Sequence, residues 1–80
     1  MSKDYLLKIS IKITSIMLDF ESEHITEEET LTSLEKQKKL LDDTIWESDV
    51  QIYADFQKSI LIKFIEKING RRNNHKQQSF

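Results

Sequence analysis

Two stretches of the same design divide this chain: Thr26-Glu27-Glu28-Glu29 and Ser48-Asp49-Val50-Gln51. Each sets a hydroxyl residue three positions before a Glu or Gln. At that spacing the hydroxyl accepts from the later amide, and the longer side chain reaches back to the earlier amide. The donors satisfied in this way are those a helix N-terminus leaves open. A helix is therefore expected to start at each box.

Behind the first box, Leu31, Leu34, Leu41 and Ile45 recur as one stripe, with Lys38 where a further apolar residue would sit. Three carboxylates in the first turn suit the positive end of the helix dipole. A helix over 26–45 follows. Lys38 reads as a lysine at the rim of a core, its stem buried and its head in water. Behind the second box, Val50, Tyr53, Phe56, Ile60, Leu61, Phe64, Ile65 and Ile68 share one half of a helical wheel. Gly70 stands where a helix commonly stops, so the second helix is expected over 49–69. The short link makes these two an antiparallel hairpin with Trp46 at its corner.

The opening segment is ambiguous. "LKISIKIT", from Leu7 to Thr14, alternates apolar and polar residues as a strand does. The same segment holds Leu6, Ile9, Ile13, Ile16 and Phe20 at helical spacing, with a second stripe of Leu7, Ile11 and Leu18 opposite. Backbone energetics separate the two readings. A lone strand leaves amides and carbonyls without partners, at about 1–3 kcal/mol for each buried group. The β-branched residues cost a helix only a few tenths of a kcal/mol apiece. A helix over 4–22, apolar on two sides, is the expectation; the alternative is an α+β fold with residues 6–14 as a strand. The fold class is thus an all-α three-helix domain over 1–69, the hairpin packed on the first helix, followed by a flexible basic tail over 70–80.

Composition bounds the function. A chain of 80 residues buries only about 60% of its unfolded surface, so its stability is marginal without staples or a partner. It has no cysteine, which removes disulfides and thiolate metal sites. The most apolar stretch, 5–20, carries Lys8, Lys12 and Asp19 and is too short to span a bilayer. No basic-then-apolar leader is visible, and a cytoplasmic location is expected. Abundant Ile and Lys with few Arg and no Pro suggest AT-rich coding, as in a low-GC bacterium, its phage or a plasmid.

No catalytic pattern is present. Asp19, Glu21, Glu23 and His24 are spaced two apart or adjacent, which does not give a shared helical face or an EF-hand loop. His24 and His75 are far apart in sequence, and a single glycine supplies no phosphate-cradling loop. The expectation is that the chain is not an enzyme and needs no metal or cofactor.

Charge is distributed unevenly behind a net value of −2. Between Asp19 and Glu35 every charged residue is acidic, whereas the C-terminal third is mainly basic. The expected function is a protein-binding or regulatory module. Its partner-binding residues would be Leu7, Ile11 and Leu18, the acidic Glu21, Glu23, Glu27 and Glu28, and Trp46. Burial of apolar helix faces would supply affinity, and the acidic stretch would steer toward a basic surface. The complex would be a homodimer or a hetero-complex, and an inhibitor of a host protein is one version of this reading. Two alternatives are a structural homo-oligomer subunit and a small nucleic-acid-associated regulator using Arg71, Arg72 and Lys76. The isoelectric point near 5.6 argues against the last.

Overall fold

The computed structural model describes the backbone of residues 3–78 and the side chains of residues 3–71. It contains three helices, α1 (Lys3–Glu21), α2 (Glu27–Asp43) and α3 (Ser48–Gln78), and no strand among the described residues. "LKISIKIT" lies wholly inside α1. The helices make an elongated body of 50 × 22 × 15 Å.

Local chemistry sets each boundary. At the start of α2 the Thr26 amide donates to Glu29 Oε1 at 3.0 Å, and the Glu29 amide donates to Thr26 Oγ1 at 3.1 Å. The expected capping box is therefore complete. The end of α1 is closed by a Schellman arrangement: the Glu23 amide donates to the Phe20 carbonyl and the His24 amide to the Asp19 carbonyl. Glu23 sits at φ 62°, the left-handed conformation in which glycine is the usual residue.

The second box does not form as expected. The Val50 and Gln51 amides both donate to the Glu47 carbonyl, so α3 begins one residue early and takes Ser48 into its first turn. The Gln51 side chain turns the other way, its Nε2 donating to Asp55 Oδ1 at 2.9 Å. The far end differs as well. Gly70 takes no positive φ, and α3 continues through it to Gln78 instead of stopping there. Most of the expected tail, residues 72–80, lies outside the described side chains.

The core runs the length of the bundle. Leu6, Ile9, Ile13 and Ile16 of α1 meet Leu34 and Leu41 of α2 and Val50, Ala54, Leu61 and Ile65 of α3. Two aromatic pairs clamp its ends: Tyr5 stacks on Trp46, and Phe20 meets Phe64 edge-on. These pairs put the start of α1 beside the start of α3 and the end of α1 beside its later turns. The two helices therefore run parallel, with α2 antiparallel to both.

α2 differs from its expected stripe in two places. The helix stops at Asp43, and Ile45 lies on the link at 88% exposed instead of in the core. The inward row is Thr30, Leu34, Gln37 and Leu41, so Gln37 takes the core-facing position and Lys38 stays half-buried. Thr30 is accommodated because its hydroxyl donates to the Thr26 carbonyl at 2.7 Å.

Candidate protein-interaction face

α1 and α3 are each wider in apolar character than the core can use. On α1 the inward stripe is buried, while Leu7, Ile11 and Leu18 on the other side are 59–61% exposed. On α3 the apolar half-wheel splits. Val50, Ala54, Leu61, Ile65 and Ile68 are buried, whereas Tyr53 and Phe56 are each 63% exposed and Ile60 is 36% exposed.

The two exposed sets adjoin. Leu7 and Ser10 of α1 share a groove with Val50, Tyr53, Phe56 and Gln57 of α3. Ser10 also borders a second shallow surface with Ile11, Thr14 and Leu18. Together they form one face of two parallel helices, on the side of the α1–α3 pair away from α2. Lys58, on the other flank of α3, pairs with Asp42 of α2 and so marks the covered side. Along the middle of the open face the polar residues are Ser10, Thr14, Ser15 and Gln57, and the lining charges, Lys3 and Asp19, stand at its two ends. Depletion of charge at the centre is the compositional sign of an interface, and small residues let a partner helix approach closely.

The expected partner-binding residues thus divide. Leu7, Ile11 and Leu18 lie on the face. Glu21, Glu23 and Glu28 are exposed and Glu27 is half-buried, all around the α1–α2 turn at one end. Trp46 is not on the surface. It is 6% exposed, its Nε1 donates to the Leu41 carbonyl at 3.0 Å, and its ring is stacked on Tyr5. Burial at the corner sets it apart from the exposed face. The face also holds Tyr53, Phe56 and Ile60, which the sequence set on the apolar half of α3 without separating core from surface. The available signal was width, since an apolar arc spanning half a wheel exceeds what two small neighbouring helices cover.

Of the residues expected to touch nucleic acid, only Arg71 has a described side chain. It shares a hollow with Glu21, Glu23 and Glu27. Phosphate would approach Arg71 there against three carboxylates. Arg72 and Lys76 lie outside the described side chains.

One carboxylate has a perturbed titration. Glu29 is held below the ordinary carboxylate range, first by the Thr26 amide donating to it, then by the Thr26 side chain, against a small opposing effect of burial. Its role is the cap. Among the described residues no group of three His, Asp or Glu side chains is placed to hold a metal ion. No described helix is long and apolar enough to cross a membrane. The chain matches no protein-family model, no curated protein and no solved structure.

Proposed function

We propose that this protein is a binding module that recognises another protein surface through the apolar α1–α3 face. The observation carrying this reading is the contiguity of Leu7, Ile11 and Leu18 with Tyr53 and Phe56, and Ile60 one turn on, in an exposed apolar strip whose lining charges, Lys3 and Asp19, stand at its two ends. From their fractional exposures, these side chains leave roughly 500 Å² open, given about 150–250 Å² for a whole aromatic side chain and about 120 Å² for Leu or Ile. The largest apolar patch of a typical monomer is about 300–600 Å². A patch toward the upper end of that range in so small a domain has a large hydrophobic incentive to be covered, at about 25 cal/mol per Å² buried.

The mechanism is helix-on-face docking, with side chains three and four residues apart acting as anchors. The acidic end at Glu21, Glu23 and Glu28 favours a basic rim on whatever binds there and speeds its approach at low salt. Regulation would follow from occupancy of the partner's surface, with the chain itself carrying no reaction. The nucleic-acid reading draws less support, because Arg71 faces carboxylates.

The test is retention on immobilised protein. The wild-type chain and a Leu7→Glu, Ile11→Glu variant are each exposed to lysate of the native host. Proteins held by the wild type and released by the variant are the expected result. Identical retention by both, with helical content and self-association also unchanged, refutes the reading.

A further inference from the structure

The exposed face has a charge arrangement that says what covers it. Along α1 the charges near the start are Lys3, Asp4 and Lys8, and those at the end are Asp19 and Glu21. Along α3 the order reverses. Asp49 stands near its start and Lys67 near its far end, both on the flank of Tyr53, Phe56 and Ile60 by helical spacing, while Arg71 lies among Glu21, Glu23 and Glu27 of its own chain. Asp55 and Glu66 share a shallow surface with Lys58 and Lys63 on the neighbouring flank, where the charges offset one another. Each helix of the face thus changes sign from one end to the other.

We propose that the face is covered by a second copy of this chain, packed antiparallel about a two-fold axis, α1 on α1 and α3 on α3. This deepens the binding-module reading and rests on it. Antiparallel packing lays the basic start of α1 on the acidic end of its twin and the acidic start of α3 on the basic end of its twin. Both contacts occur twice by symmetry, as an isologous interface requires. Asp4 is the one charge at the start of α1 that meets like charge. A parallel two-fold, with α1 over α3, also opposes unlike charges, but it aligns the dipoles of all the contacting helices side by side.

Shape and area agree. With the axis near the Ile11–Thr14 level of α1, Leu7 comes opposite Leu18 of the twin and Ile11 opposite Thr14. The uncharged small residues Ser10 and Thr14 then sit at the middle, where the backbones must approach most closely. The open apolar side chain, roughly 500 Å² per copy, supplies the larger share of the roughly 800 Å² per partner of a stable interface, and the flanking polar residues supply the rest.

The experiment is sedimentation equilibrium of the full chain with two face variants, Leu7→Glu with Ile11→Glu and Tyr53→Glu with Phe56→Glu. Circular dichroism checks that each variant remains helical. The expected result is twice the 9.5 kDa chain mass for the wild type, with association weakened at least tenfold in both variants. Since the chain lacks cysteine, orientation is read by mixing Leu7→Cys and Leu18→Cys chains under oxidation. Antiparallel packing gives mainly the mixed 7–18 disulfide. A wild type that stays monomeric at about 100 μM, well above the typical micromolar Kd of a weak complex, overturns the proposal. Face-dependent retention of host proteins by such a monomer would still leave the binding-module reading standing. A dimer untouched by both face variants, or one giving mainly 7–7 and 18–18 disulfides, also overturns the proposal.

Discussion

Tyr5 stacks on Trp46 with ring centroids 5.8 Å apart and planes 26° from parallel, joining the first turn of α1 to the link between α2 and α3. The same indole donates Nε1–H to the Leu41 carbonyl at 3.0 Å, closing one of the carbonyls that the end of α2 leaves open. Thr44 does likewise, its Oγ1 donating to the Leu40 carbonyl at 2.6 Å. One aromatic residue therefore packs the end of the core and caps a helix.

Replacing it separates the two roles. Trp46→Phe keeps a ring against Tyr5 but removes the donor and leaves the Leu41 carbonyl short of a partner. A loss of about 1–3 kcal/mol is expected, the cost of an unmade buried hydrogen bond. Trp46→Ala adds a cavity and should cost about 3–5 kcal/mol. Urea unfolding followed by circular dichroism measures both, and a Trp46→Phe variant as stable as wild type would show that the hydrogen bond contributes nothing.

Glu23 holds a conformation that suits glycine. At φ 62° its Cβ crowds the neighbouring carbonyl, a strain of about 1–2 kcal/mol for a residue with a side chain. Glu23→Gly keeps the Schellman hydrogen bonds and relieves that strain, although it adds freedom to the unfolded chain. The net expectation is a gain of about 0.5–1 kcal/mol in urea unfolding. A loss would mean that the Glu23 side chain supports the turn.

The α2 cap links stability to acid. Because the folded protein holds Glu29 below its ordinary pKa, the cap contributes fully above the ordinary carboxylate range. That contribution is lost as pH falls through the lowered value. Glu29→Gln lacks this component, so the gap between wild type and variant should narrow as pH falls through that window. Thr26→Ala should cost about 0.5–2 kcal/mol at neutral pH. Unfolding curves at neutral and acid pH check both, and a gap that widens in acid would contradict the sign.

Two residues of one expected stripe should behave as opposites. Leu41 is 4% exposed and Ile45 is 88% exposed. Leu41→Ala should cost about 2–5 kcal/mol by removing core volume. Ile45→Ser should fall within about 0.5 kcal/mol of wild type, as surface changes do. Comparable losses at both positions would place Ile45 in the core after all.

Local pattern carried a large part of the fold. The box at Thr26 forms as its spacing requires, because a hydroxyl and a Glu three positions apart need nothing distant to meet. Alternation in "LKISIKIT" comes from two apolar stripes on one helix, and the helical period was enough to separate Leu6, Ile9 and Ile13 from Leu7 and Ile11. The second box misled for an equally local reason. Glu47 offers its carbonyl one residue earlier, and Gln51 finds Asp55 on the next turn.

Periodicity by itself determined three helices, the inner and outer stripes of α1, and an apolar half-wheel on α3. It assigns residues to faces because the turn of a helix is a property of the backbone alone. Tertiary structure decided what covers each face. Gln37 faces inward where Lys38 was aligned, Ile45 is left outside by the early stop of α2, and Tyr53, Phe56 and Ile60 stay open beside Leu7. Those outcomes depend on how helices distant in sequence cross and how much surface each can shield, and only packing specifies that.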